Sequence, residues 1–182
     1  ADEQTNVGAD FALFGNRISG SVDYFNKVTT DLLFPQIPLV PANPGVAVTW
    51  LNLPAKIVNK GVELSLSGNV IQKEDVTLTL GANATFIKNT VKDLVGVIKT
   101  GALSGQGLSR VTLEVIQSGL PLFAMVTREY NGLGQDGFST YTDEGYTNYY
   151  LGDPNPNVIL GFSANFTYKK LSSWLCKRKG FH

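Results

Sequence analysis

Apolar residues recur along this chain with a period of two rather than 3.6, the signature of half-buried strands rather than helices. In the first segment Val7, Ala9, Phe11 and Leu13 share one side, opposite Gly8, Asp10 and Ala12. Ile18, Gly20, Val22 and Tyr24 then alternate with Ser19, Ser21 and Asp23. A third segment sets Val62, Leu64, Leu66 and Val70 against Glu63, Ser65, Ser67 and Asn69. In the fourth, Val76, Leu78, Leu80, Ala82, Ala84 and Phe86 oppose Thr77, Thr79, Gly81, Asn83 and Thr85. The fifth places Val158, Leu160, Phe162, Ala164, Phe166 and Tyr168 against Gly161, Ser163, Asn165, Thr167 and Lys169. An all-β fold follows.

The connections alternate in length. Phe14-Gly15-Asn16-Arg17 reads as a tight turn, because Gly and Asn tolerate the positive φ that hairpins require. Gln72-Lys73-Glu74-Asp75 is a second short turn. Between them runs a Pro-rich stretch from Pro35 to Lys56, with Pro38, Pro41, Pro44 and Pro54, and a longer connection extends from Lys92 to Asn157. Short turns at one end and long loops at the other fit antiparallel up-and-down strands of a transmembrane β-barrel. Phe11, Phe14, Tyr24, Phe25, Phe34, Phe86, Phe166 and Tyr168 fall mostly near strand ends, where interfacial girdles sit. The alternative is a soluble β-sandwich with ordinary core aromatics.

Composition sharpens this. Charged residues are 16% of the 182, against about 25% in typical soluble domains. The second face of each strand carries Ser, Thr, Asn and Gly, as a wet barrel interior would. Fifteen basic and fifteen acidic side chains leave no net charge, hence no electrostatic case for nucleic acid. One cysteine, Cys176, excludes an intrachain disulfide and a multi-thiolate metal site. No apolar run reaches the 18 residues or so of a spanning helix. The polar start Ala1-Asp2-Glu3-Gln4 does not resemble a signal peptide, so any export signal is expected outside these residues.

Four stretches resemble the SusC/RagA family of TonB-dependent outer-membrane transporters, in the C-terminal half of the barrel. Arg17 to Lys27, then Thr29 to Leu33, is similar to the family's R-x-x-G-x-x-D-Y-Y-x-K-x-T-x-D-L-L strand, with Asp23, Tyr24 and Asp31 at motif positions. Asn59-Lys60-Gly61-Val62-Glu63-Leu64 matches its N-K-G-x-E-L element. Asn83 to Val91 resembles its N-x-S-F-N-K-N-x-V strand end. Gly152-Asp153-Pro154-Asn155-Pro156-Asn157, followed by Gly161-Phe162, looks like its G-N-P-N-P-x-x-x-x-G-F signature. The resemblance implies a plug inside a barrel of about 22 strands, in the outer membrane of a Gram-negative cell. It also implies a SusD-like lipoprotein partner, energy through TonB, and glycan or peptide fragments as cargo. The resemblance covers neither plug nor TonB-contacting segment. Residues 1–171 are therefore expected to be a partial barrel of about five strands that does not transport alone.

The motifs also have a physical reading. Asn-Pro-Asn-Pro forbids helix and regular ladder pairing, giving a rigid entry into the strand at Val158. Gly61 suggests a bulge. Lys27 and Asp31, four apart, would share a strand face, as lumen charges or as ordinary surface ones. After Lys169-Lys170-Leu171 the pattern departs from the family. Residues 172–182 lose the alternation, gather Lys177, Arg178 and Lys179 beside Cys176, and read as an atypical tail, a truncated or frame-shifted end.

Candidate chemistry is sparse, and no enzyme activity is expected. The single His is terminal, which leaves a Ser-His-Asp arrangement nothing else to use. Gly101, Gly105 and Gly107 lack a Walker lysine and read as a flexible loop. The acids Asp136, Asp143 and Glu144 lack the D-x-D/N-x-D/N-G spacing of a calcium loop and read as solvated, so neither metal nor cofactor is expected. Ligand contact is more plausible for Trp50 in one long connection and Tyr130, Phe138, Tyr141, Tyr146 and Tyr149 in the other. Aromatic faces beside Asn and Asp combine stacking with hydrogen bonding and suit sugars or peptides. A carbohydrate-binding sandwich remains the alternative function.

Overall fold

A computed structural model describes residues 1–36, 49–106, 108–145 and 148–181. In chain order the strands are β1 (Asp2–Leu13), β2 (Ile18–Thr29), β3 (Leu32–Gln36), β4 (Thr49–Leu53), β5 (Lys56–Gln72), β6 (Val76–Lys92) and β7 (Val97–Gly105). They continue as β8 (Leu108–Gln117), β9 (Ala124–Thr127), β10 (Tyr130–Leu133), β11 (Ser139–Tyr141), β12 (Tyr149–Gly152), β13 (Val158–Tyr168) and β14 (Leu171–Phe181). A single 3-10 turn covers Thr142–Gly145, and there is no α-helix among the described residues.

The chain divides into two units. The first comprises Asp2–Val28, Val58–Lys88 and Asn155–His182. It holds one open antiparallel sheet in the order β1-β2-β5-β6-β13-β14, with β1 and β14 as its edges. Each hairpin closes on a short turn. Phe14, Gly15 and Asn16 all adopt positive φ (53°, 64° and 66°), as does Lys169 (52°) between β13 and β14. Lys73 and Val76 exchange backbone hydrogen bonds of 2.9 and 3.2 Å across the β5–β6 turn. The Lys169 amide donates to the Asp75 carbonyl at 2.8 Å, so neighbouring turns lie at the same end of the sheet.

The period-two pattern becomes two chemically distinct faces. Leu160 sits opposite Ala84, Phe162 opposite Ala82, and Phe166 opposite Leu78 on the apolar side. Asn165 and Thr79, and Gly161 and Asn83, pair on the polar side. Contacts between β2 and β5 agree: the Ser21 and Ser65 hydroxyls hydrogen-bond at 2.8 Å. No residue of this unit is buried among those described. Leu66 remains 50% exposed and Val70 56%.

The second unit comprises Thr29–Ile57 and Asn89–Pro154, with Ala1. Stretches expected as long loops here form their own small sheets. One has the order β12-β9-β8-β7, and β3–β4 and β10–β11 are separate hairpins. Ala55, Val91, Leu94 and Ile116 make a core against which Phe34, Ile98 and Leu122 pack. Gly101 and Gly105 belong to β7 rather than a flexible loop; Gly101 takes φ +63°, and the Glu114 side chain covers its bare backbone. Gly107, Pro38, Pro41 and Pro44 lie outside the described residues.

The reading of Lys27 and Asp31 as one strand face is corrected. Asp31 follows the end of β2 at φ 55°, so it shares no strand face with Lys27, which instead pairs with Asp2 at 3.0 Å. The stretch after Lys170, read from the sequence as an atypical tail, pairs as β14 along the full length of β13 as far as Phe181. Ladder pairing uses only backbone groups, so it does not require alternating side chains. The register sets Lys177 opposite Phe162 and Lys179 opposite Leu160, on the apolar face.

Candidate functional site

Two sets of residues carry recognition chemistry, one in each unit. On the polar face of the sheet, Gln4, Asn6, Asp23, Phe25, Lys27, Asn59 and Glu63 line a shallow groove of about 420 Å³. Phe25 is the feature that the strand-end grouping of aromatics misplaced. Its odd number places it beside Asp23 and Lys27, not beside Tyr24, and parity alone identifies this. The ring lies across Gly61 of β5, where an added Cβ would fall 2.7 Å from Phe25 Cζ and collide with the Phe86 carbonyl oxygen. Gly20 is likewise covered by the Phe11 ring, 2.6 Å from where its Cβ would be. An aromatic ring over a strand glycine replaces the missing side-chain packing and pins register. Gly61 is thus a glycine because of close approach, within a continuous β5.

Asp23 is half-buried and its carboxylate covers Gly8, just as the Asn83 amide covers Gly161. Ser21 meets Ser65 on one side and Phe25 meets Gly61 on the other, so an unbroken ladder sets Asp23 opposite Glu63. Like charges facing each other across two strands repel, which makes this the anionic part of an otherwise weakly charged face. Thr79 donates to Asn69 at 2.8 Å elsewhere on it. Tyr24 points to the apolar side, Lys60 is exposed, and Pro156 packs against Gly180. The carbonyl of Asn157, just after Asn155 and Pro156, accepts the Ile87 amide at 2.8 Å and so fixes the entry into β13.

In the second unit the aromatic candidates separate. Tyr130 and Tyr141 are register partners in the β10–β11 hairpin and meet edge to face, with ring centroids 5.8 Å apart at 62°. Phe138 lies at the turn of that hairpin, 74% exposed. Tyr149 donates to Asp143 Oδ2 at 2.6 Å, so it is committed to holding its own loop. Trp50 belongs to the β3–β4 hairpin, in register with Pro35, and is exposed. Tyr146 and His182 lie outside the described residues. The acids have local roles: Asp136 Oδ1 accepts the Phe138 amide at 3.2 Å and closes the hairpin turn. Burial, with the Asp153 charge as a lesser cause, raises the Tyr150 pKa above its ordinary value. Lys56 and Asp93 pair at 2.8 Å, which raises the lysine's pKa and lowers the carboxylate's.

An antiparallel sheet with one apolar and one polar face, joined by short turns and folded connections, is the architecture of a β-barrel wall. The chain matches the family described as TonB dependent receptor-like, beta-barrel over residues 3–175, and it belongs to that family. It is 29% identical to TonB-dependent receptor P3 of Formosa agariphila over 92% of this chain and 19% of that protein. It is also 29% identical to TonB-dependent receptor SusC of Bacteroides thetaiotaomicron, over 50% of this chain and 9% of that protein. The RagAB peptide importer in its open-open state shares the fold with a TM-score of 0.73 at 22% identity, over 99% of this chain and 20% of that one. The chain therefore spans less than a fifth of the length of these curated relatives.

Proposed function

We propose that this chain is a stretch of wall from a SusC/RagA-like transporter in the outer membrane of a Gram-negative bacterium. Its apolar face meets lipid and its polar face lines the lumen. The whole receptor takes up glycan or peptide fragments, works with a SusD-like lipoprotein and draws energy through TonB. The match to SusC and the shared fold with a peptide importer support that reading. Cargo moves by binding and gated passage, with no covalent step. Six strands with open edges do not transport by themselves. Trp50, Tyr130, Phe138 and Tyr141 are the cargo contacts we favour; Tyr149 serves the loop that carries it.

One observation carries the membrane assignment: every buried residue described lies in the second unit, while the sheet leaves a continuous apolar face uncovered. Water-soluble proteins rarely expose such a face, whereas a barrel wall is built to. The test is a cysteine scan along β5 in a Cys176→Ser background of the receptor reconstituted in vesicles. Labels at 64, 66 and 70 should be quenched by lipid-borne quenchers, and those at 65, 67 and 69 modified by a water-soluble maleimide. Equal accessibility of the two sets would refute the wall assignment.

A further inference from the structure

On the apolar side of the sheet, aromatic rings mark two heights. Phe86, Val158 and Phe181 are register partners in one row, at the end that carries the long connections. Tyr168 lies ten residues further along β13, opposite Leu171 at the short-turn end. At about 3.4 Å per residue and the usual strand tilt, the two levels stand roughly 26 Å apart, close to the roughly 25 Å apolar band of a barrel. Four lysines on this side gather around the Phe86–Phe181 row. Lys177 and Lys179 lie just inside it, and the Lys179 ammonium stands 4.8 Å from the centre of the Phe181 ring. Lys60 of β5 and Lys88 of β6 share the parity of Val62 and Phe86 and lie just beyond the row. The Thr79–Asn69 bond and the approach of Gly61 to the Phe86 carbonyl set the β5–β6 register, which brings Lys60 opposite Lys88. Like charges so placed repel each other. All four lysines are exposed, and none forms an ion pair among the described residues. Parity leaves Glu3, on the edge strand β1, as the only acid on this side of the six strands among the described residues.

We propose that Lys60, Lys88, Lys177 and Lys179 form a docking surface for the phosphates of a phosphorylated glycolipid in the outer leaflet. This rests on the reading of the sheet as a membrane wall. Short turns face the periplasm in barrels of this kind, so the Phe86–Phe181 row lies at the external interface. Ammonium groups on the lipid side at that depth meet lipid headgroups. Lys60 and Lys88 stand at headgroup level, and Lys177 and Lys179 reach it by extending their stems along the apolar surface. A phosphate supplies the counter-charge that this side of the wall lacks, through charge-assisted hydrogen bonds. A zwitterionic lipid offers the same chains without the net charge. Cargo passes along the other face and does not reach these residues. Arg178 provides the contrast within one strand: it lies between Lys177 and Lys179 but opposite Gly161, on the polar face.

Native mass spectrometry of the receptor, purified in mild detergent and stripped of lipid, tests this by titration with diphosphoryl lipid A and dioleoylphosphatidylcholine. Lipid A should bind roughly tenfold or more tightly than phosphatidylcholine. A lysine beside an anionic headgroup is worth roughly a fivefold change in affinity. Lys179→Gln should therefore weaken lipid A binding by about that factor, and Lys60→Gln with Lys88→Gln by roughly thirtyfold. Arg178→Gln removes the same charge as Lys179→Gln from the other face and should leave both lipids unchanged. Heat-modifiable gel mobility confirms that each variant keeps its barrel. Lipid A binding that survives all three lysine substitutions overturns the proposal. An equal loss in Arg178→Gln overturns it too, since that would mean net charge rather than one face. Phosphatidylcholine vesicles offer no net anion, so there Lys177 and Lys179 only cost stability. Failure of the wall reading looks different: the receptor would then be recovered without detergent.

Discussion

The sheet unit and the second unit are built from the same few residue types, yet they solve opposite problems. In the second, Val91 is fully buried, Ala124 likewise, and Ile116 nearly so. In the first, the stretches 58–72 of β5 and 76–88 of β6 contain no buried residue among those described, and Leu64, Leu66, Val70, Phe162 and Phe166 stand exposed along one side. Hydrophobicity in one unit is spent on a core, and in the other on a solvent. Both faces of a wall strand are exterior, so stability has to come from the bilayer, the ladder and the register devices.

The largest effects should separate the two directly. Leu66→Arg should destabilise the receptor by about 2–4 kcal/mol in vesicles, as cations do near the bilayer midplane, whereas Ser67→Arg on the polar face should cost little. Val91→Asp should disrupt the second unit in lipid and in detergent alike, because it buries an unpaired charge. Urea titrations in both media read the difference. If Leu66→Arg proved equally costly in both, the contrast between the units would fail.

β14 gives a test of opposite sign. Lys177 and Lys179 face Phe162 and Leu160, so their charges lie on the side read as lipid-facing. Replacing both by Leu should stabilise the inserted sheet by about 2 kcal/mol or more, with the larger share from the deeper position. No gain would show that β14 is not paired with β13 in the membrane.

Gly61 probes register rather than burial. A methyl there meets both the Phe86 carbonyl and the Phe25 ring, and overpacking of this kind costs about 1–3 kcal/mol. Gly61→Ala should therefore weaken folding, and adding Phe25→Ala should recover only the ring's share, since the carbonyl cannot move aside. Full recovery would mean that the ring alone requires glycine.

The wall strands β1, β2, β5, β6 and β13 were legible because a barrel wall writes its two faces into alternate positions. β14 was not, since Lys177 and Lys179 break that alternation while the backbone pairs regardless. β8 was legible too, since Val111, Leu113 and Val115 alternate with Thr112 and Glu114, but the glycines at 101, 105 and 107 just before it carry the composition of a loop. The left-handed Asp31, the Tyr149–Asp143 bond and the core around Ala55 leave no periodic trace. They depend on residues that only folding brings together. The candidate site was half legible for the same reason. The aromatic-rich loops were visible as composition, whereas the groove under Phe25 needs the parity of β2 and a glycine on another strand.

Asn89 tests whether the second unit's connections are held by single contacts. Its Oδ1 accepts the Leu122 amide at 2.7 Å in a part-buried setting, tying β6 to the segment before β9. Asn89→Ala should cost about 1 kcal/mol by orphaning that amide. Hydrogen exchange at Leu122 should quicken while the amides of β13 do not change.

The smallest effect belongs to Lys56 and Asp93, an exposed pair whose partners shift each other's pKa. Asp93 sits at φ 60°, a conformation that Asn adopts readily, so Asp93→Asn removes the charge and leaves the backbone alone. The carboxylate's pKa is lowered from its ordinary 3.8, so its contribution is complete above that value and is lost as pH falls through the folded one. The lysine's is raised from 10.5, so its share persists below that pH and disappears only above its folded value. Between these limits the pair should contribute a constant amount, and a small one, because solvent and salt screen it. The difference in urea midpoint between wild type and Asp93→Asn should be flat from pH 5 to pH 9, narrow toward pH 3, and shrink in 1 M salt. A difference that widened at low pH would mean that Asp93 serves the loop through a hydrogen bond its protonated form makes better, and not through its charge.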